Sequence, residues 1–124
     1  MGELRIKRAY DDANTADGYR VLVDRMWPRG VSKERAALDE HLKDIAPSPD
    51  LRTWWNHDPD RIDEFTKRYR AELDNNPAVE DLRSRVRGHK TVTLIYGAKD
   101  PDVNHARILR DYLREAGASG EESP

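Results

Sequence analysis

Tyr19-Arg20-Val21-Leu22-Val23-Asp24-Arg25-Met26-Trp27-Pro28-Arg29-Gly30 reads as a buried strand that runs straight into a charged loop. Val21, Leu22 and Val23 form a continuous apolar run, the pattern of a strand covered on both faces, as in parallel sheets. Trp27-Pro28-Arg29-Gly30 then stops it with a proline and a glycine. Asp24, Arg25 and Arg29 gather at the strand's carboxyl end, the edge on which open α/β sheets bind ligands.

Two further strands flank this one in the sequence. Leu4 to Tyr10 alternates Leu4 and Ile6 against Arg5 and Lys7, and Thr91-Val92-Thr93-Leu94-Ile95-Tyr96 is rich in β-branched residues between Gly88 and Gly97. The connection from Arg25 to Lys90 has ample length for a helical crossover, so the second and third strands can run parallel. The polar stretch from Asp11 to Gly18 is shorter than a usual crossover and leaves the first strand's direction open.

Helix signals fill the long connection. Ser32 is placed to cap a short helix over residues 33–38, and Leu38, Leu42 and Ile45 continue an approximate helical spacing until Pro47 and Pro49, with strand or helix open over residues 39–46. Asp58-Pro59, Asn76-Pro77 and Asp100-Pro101 repeat one device, an oxygen that caps free amides followed by a proline suited to the first helical position. Behind Pro59, Ile62, Phe65, Tyr69 and Leu73 form one apolar stripe, and behind Pro77 so do Val79, Leu82 and Val86. The last helix is expected to run from Pro101 to about Ala116. The fold expected is α/β, a single small domain over residues 1–116 with a short, mostly parallel sheet flanked by helices, followed by a disordered tail over 117–124.

Composition removes several function classes. Lys and Arg number 22 against 24 Asp and Glu, so no global positive field draws the chain to nucleic acid or an anionic membrane. The absence of cysteine eliminates disulfides, thiolate nucleophiles, iron–sulfur clusters and cysteine-ligated zinc together. No stretch approaches the ~20 apolar residues that span a bilayer, and no leader-like apolar segment follows Met1, so the chain is read as cytoplasmic. No phosphate loop, dinucleotide fingerprint, nucleophile elbow or zinc-protease motif occurs, and no cofactor is named by the sequence.

If the second and third strands are parallel, their exits share one cleft. One exit supplies Asp24, Arg25, Trp27, Arg29 and Gly30, and the other Lys99, with Asn104 and His105 following. Arg29 and Lys99 offer cationic donors, which makes a small phosphate, sulfate or carboxylate the natural guest. The competing account pairs Asp24 with Arg25 or Arg29 and leaves the loop as a rigid turn. On a helical projection Leu109, Tyr112, Leu113 and Ala116 fall within about 80° of His105, so His105 faces the core side, one turn inside the helix. It is read either as a general acid/base of the cleft or as a core histidine bound to a carbonyl.

Trp54 and Trp55 point about 100° apart on a helix, one toward the core and one toward a cleft or partner. His41, His57, His89 and His105 make no recognised metal-ligand spacing, so no metal site is assigned. Arg83, Arg85, Arg87, His89 and Lys90 form a basic run, either a phosphate contact or a solvated helix face.

Lys7-Arg8-Ala9-Tyr10-Asp11, the segment from Asp17-Gly18 to Gly30, Pro47-Ser48-Pro49-Asp50-Leu51-Arg52, and Leu94 to Asp100 with Asn104-His105-Ala106 together resemble the YeaO-like branch of a bacterial domain-of-unknown-function family. The resemblance runs from Leu4 to Leu113 and implies parallel first and second strands, but no established activity. It also implies that more distant relatives carry cysteines near the last strand and helix, one immediately before a histidine. That position here is Asn104, so thiol chemistry does not transfer.

The leading expectation is a binder of a small anionic molecule, with catalysis through His105 as its extension. There Arg29 and Lys99 hold the anion, Asp24 and Arg25 orient the loop, Trp27 forms an apolar wall, and Asn104 and His105 add polar contacts. The alternative is a noncatalytic protein- or nucleic-acid-binding module built on Trp54, Trp55 and the basic run.

Overall fold

The computed structural model describes residues 3–100 and 103–122, with 116–122 described as backbone. Four strands lie in the order β1-β4-β2-β3: β1 is Glu3–Arg8, β2 Tyr19–Leu22, β3 Glu40–His41 and β4 Thr91–Tyr96. Every pairing is parallel. The mostly parallel sheet read from the sequence is therefore wholly parallel, and β1 and β2 agree in direction because each pairs with β4 between them.

Register fixes which residues face which layer. Leu4, Val21, Val92 and Leu94 lie in the main core with residues of the later helices. Those helices are α2 (Pro49–Trp55), α3 (Ile62–Asp74), α4 (Ala78–Gly88) and α5 (His105–Glu122), and α1 is Lys33–Ala36. Phe65, Tyr69 and Leu73 of α3 and Leu82 of α4 are buried in that core, as their spacing requires. Leu22 and Ile95 point the other way and pack with Ala9 and Leu38.

The short link between β1 and β2 crosses β4 without an α-helix. It holds one 3-10 turn, Thr15–Asp17, capped by Asn14. Asp17 is buried, accepts from Arg20 and Lys7, and its carbonyl accepts the Thr93 hydroxyl at 2.6 Å. A chain shorter than a usual crossover thus crosses the sheet because a buried ion pair replaces the apolar face of a helix. Gly18 then turns into β2 with φ 65°, where an added Cβ would lie 2.3 Å from the Thr91 carbonyl oxygen.

The structure corrects several local expectations. Residues 39–46 hold the two-residue β3 and a 3-10 turn over Lys43–Ile45. Pro49 opens α2, whose cap is Ser48, its Oγ accepting from the Leu51 N–H at 3.2 Å. A 3-10 turn, Pro59–Arg61, precedes α3. β2 ends at Leu22, although Val23 N–H still donates to Ile95 at 3.0 Å. Pro101 lies outside the described residues, and α5 begins at His105 behind Asn104, so His105 heads the helix. The tail expected over 117–124 falls where side chains are not described, with 123–124 outside the described residues. Among the described residues no helix is long and apolar enough to cross a membrane.

Candidate functional site

Because β2 and β4 are parallel neighbours, their carboxyl ends open on one edge. A cleft of about 230 Å³ lies there, lined from the β2 exit by Asp24, Arg25, Met26, Trp27 and Pro28, and from the β4 exit by Gly97 and Ala98. His105 at the head of α5 and Arg52, Trp55 and His57 around the end of α2 complete its wall.

Asp24 joins the two exits. Its Oδ2 accepts the Gly97 N–H at 2.8 Å, and its backbone carbonyl lies 2.8 Å from Nε2 of His41 in β3. Oδ1 is buried without a hydrogen-bond partner, 3.3 Å from Nε2 of His105. Asp24 therefore pairs with Gly97 and His105 rather than with Arg25 or Arg29.

His105 is held on three sides. Nε2 lies 3.0 Å from the Val23 carbonyl, and the ring meets Tyr69 edge-on with centroids 6.0 Å apart. Both neighbours of Nε2, the carbonyl and the carboxylate, are acceptors, so the proton of the neutral ring sits on Nε2. Burial lowers the imidazole pKa, and the Asp24 charge and the Val23 carbonyl only partly oppose it. The buried Tyr69 hydroxyl, its own pKa pushed well up by burial, donates to Ile45 at 2.7 Å.

Arg25 is an incompletely satisfied cation of the cleft wall. Its Nε is buried without a partner, and its Nη2 reaches the Pro47 carbonyl at 3.5 Å, the outer limit of a hydrogen bond. Arg52 is exposed on α2, one turn inside the Ser48 cap, and that cap is tied to α3 by Glu72, which accepts from Ser48 N–H at 2.9 Å and from its Oγ at 2.6 Å. Asn56 and His57 follow with φ 49° and 54°. Two consecutive left-handed residues end the helix and set His57 against Trp55, rings 4.9 Å apart, at the rim of the cleft.

Of the residues expected from sequence, Asp24, Arg25, Trp27 and His105 line this cleft, whereas Arg29, Gly30, Lys99 and Asn104 do not. The reasons are local. Val31 N–H returns to the Pro28 carbonyl at 3.3 Å and Gly30 adopts φ 79°, turning the chain away while Tyr10 holds the Arg29 carbonyl at 3.1 Å. Lys99 is exposed beyond Ala98, whose carbonyl is fixed by Arg8 Nε at 3.1 Å. Asn104 caps α5: its Oδ1 accepts from Arg107 N–H and its Nδ2 donates to the Asp100 carbonyl, both at 2.9 Å.

Arg52 is the charged cleft residue that spacing alone did not single out. Ser48-Pro49 repeats the cap-and-proline signal of the later helices, and reading it that way places Arg52 in the first full turn behind it. The tryptophan pair divides as its geometry requires: Trp55 is buried and stacked on Phe65 at 3.9 Å, while Trp54 lies between Arg61 and Arg68, 5.2 and 4.2 Å from its ring. In the basic run, Arg85 is paired with Glu40, Arg87 with Glu80, and His89 stacks on Tyr19.

A family model described as the inactive DUF488-N3 subclade matches residues 3–123. The uncharacterised protein YeaO of Escherichia coli strain K12 is 40% identical over 111 residues, which cover 90% of this chain and 96% of the relative. An uncharacterised protein of Mycobacterium tuberculosis strain H37Rv is 40% identical over 110 residues, covering 89% of this chain and 92% of the relative. No solved structure matches the chain. With similarity along almost its whole length to the family model and to these relatives, the chain belongs to the YeaO-like, inactive DUF488-N3 subclade.

Proposed function

We propose that this protein binds a small anionic molecule without turning it over, in the cleft at the carboxyl edge of β2 and β4, and that Arg25 and Arg52 hold the anion. The observation that carries this reading is the Arg25 guanidinium, half-buried in the cleft wall with Nε unpartnered and one long contact to Pro47. A buried donor left unmade costs about 1–3 kcal/mol, more for a charged group, and a carboxylate or phosphate on the outer nitrogens of the guanidinium supplies the opposite charge that offsets part of this cost. Arg52, which lines the same cleft, adds a second cation.

Two further points favour binding over catalysis. The family is described as inactive. The acid/base role expected of His105 is also disfavoured, because its Nε2 proton is directed at the Val23 carbonyl and its ring is wedged against Tyr69. In this reading His105 and Asp24 position the loop.

A nitrogen-15 correlation spectrum recorded while 3-phenylpropanoate or inorganic phosphate is added tests the proposal. Shifts concentrated at Asp24–Trp27, Gly97, Ala98 and Arg52–His57, lost in Arg25→Gln or Arg52→Gln and kept in Arg29→Gln and Lys99→Gln, are the expected result. Shifts centred on Lys99 or on the basic run, or none at all, contradict it.

A further inference from the structure

The cleft carries an unmatched negative charge as well as unmatched positive ones. Asp24 receives one hydrogen bond on Oδ2 from Gly97, and its Oδ1 receives none. Among the described residues, His105 is the sole basic side chain within ion-pair distance of that carboxylate. It does not neutralise it: its Nε2–H is aimed at the Val23 carbonyl, and its burial favours the uncharged ring. Arg25, next in sequence, turns its guanidinium toward Pro47. A carboxylate without a charged partner and two guanidinium groups therefore border one cleft of about 230 Å³.

A simple anion complements half of that wall and is repelled by the other half. The complement of the whole is a dipolar molecule, its opposite charges a few ångströms apart and its bulk small. Met26 and Trp27, both exposed, and Pro28 and Trp55 behind them give the same cleft an apolar side. Resting on the anion-binding reading above, we infer that the ligand is a small zwitterion of the amino-acid class, its carboxylate on Arg25 and Arg52, its ammonium group beside Asp24 and an apolar side chain against Trp27. Asp24 acts here largely through its field, since Oδ1 is enclosed.

The test is calorimetric titration at neutral pH and low salt with matched compounds on the full chain. L-phenylalanine carries both charges, 3-phenylpropanoate lacks the ammonium group and 2-phenylethylamine lacks the carboxylate; the leucine set is L-leucine, 4-methylpentanoate and 3-methylbutylamine. The expected result is that the zwitterion binds about five- to tenfold tighter than its deaminated acid in at least one set, with the amine weakest. Asp24→Asn, which retains an oxygen for Gly97, is expected to abolish that advantage. Acids that bind as tightly as the zwitterions in the native chain overturn the inference and leave the anion reading standing. An advantage that survives in folded Asp24→Asn overturns the role of Asp24. If no compound of either set binds, the inference and the anion reading both fail. The comparison in the native chain decides the matter even where the variant does not fold.

Discussion

Asp24 and Gly97, 73 residues apart in sequence, are joined by a 2.8 Å hydrogen bond from the Gly97 N–H to Oδ2, which ties the exit of β2 to that of β4. The bond exists because the sheet is parallel and the two strands are neighbours, and it sets the floor of the cleft. An added Cβ at Gly97 would stand 3.0 Å from the same oxygen. Gly97→Ala is therefore expected to displace the carboxylate and cost about 1–2 kcal/mol in urea unfolding, within the range of overpacking. An unchanged unfolding midpoint would show that the Asp24 side chain yields freely and that the floor is soft.

Asp17 and Arg20 carry the short crossover. Both are buried, and Lys7 is the second cation on the carboxylate. Removing one partner strands the other, so Arg20→Met is expected to destabilise by about 3 kcal/mol, whereas the same change in an Asp17→Asn background costs clearly less. A double-mutant cycle by chemical denaturation measures the coupling. Additive losses would show that the crossover does not depend on this pair.

Ser48 links the fold to the cleft, since it caps α2 and binds Glu72 while α2 carries Arg52. Ser48→Ala is expected to cost about 1–2 kcal/mol through loss of the cap and to weaken anion binding with it, because the first turn of α2 is no longer fixed. Loss of stability with unaltered affinity would separate Arg52 from the site.

The pH dependence of stability has two windows. Burial lowers the pKa of His105 in the folded chain below its ordinary 6.5, so the unfolded chain binds that proton more readily. This contribution is complete above about pH 6.5 and is lost as pH falls from there through the folded value. Asp17 acts lower: burial alone would raise its pKa, but the Asn14 N–H, Lys7 and Arg20 outweigh burial and hold it below 3.8. Its stabilisation is present above that value and is lost as pH falls through the folded one. Urea midpoints between pH 7.5 and 4.5 are expected to decline in the native chain and to decline less in His105→Gln. Equal slopes would mean that His105 titrates as it does in the unfolded chain.

Much of the fold was legible because periodicity carries it. The apolar run Val21 to Val23 and the strand Thr91 to Tyr96 pointed to a parallel pair, and the stripe Phe65, Tyr69, Leu73 lies buried in the core. β3 was not legible, since two residues leave no period to read and Glu40-His41 is held by β2 rather than by its own propensity. The head of α5 was misjudged because Asp100-Pro101 and Asn104 both offer caps, and the helix begins behind the second.

The shared position of Asp24, Arg25, Trp27 and His105 on one cleft was legible because strand exits in a parallel sheet converge whatever their sequence separation. Arg29 and Lys99 carry the right charge, but the turn at Gly30 and the anchoring of Ala98 keep them off the cleft wall, and no charge pattern encodes those constraints. Arg52 came from a helix whose opening signal was present in Ser48-Pro49 but read as a stop.

The seat of the anion is read most directly from a crystal structure grown with 3-phenylpropanoate. Its carboxylate is expected within hydrogen-bond distance of the Arg25 and Arg52 guanidinium groups, with the phenyl ring against Trp27. A carboxylate seated on Arg29 and Lys99, or an empty cleft at saturating ligand, would contradict it.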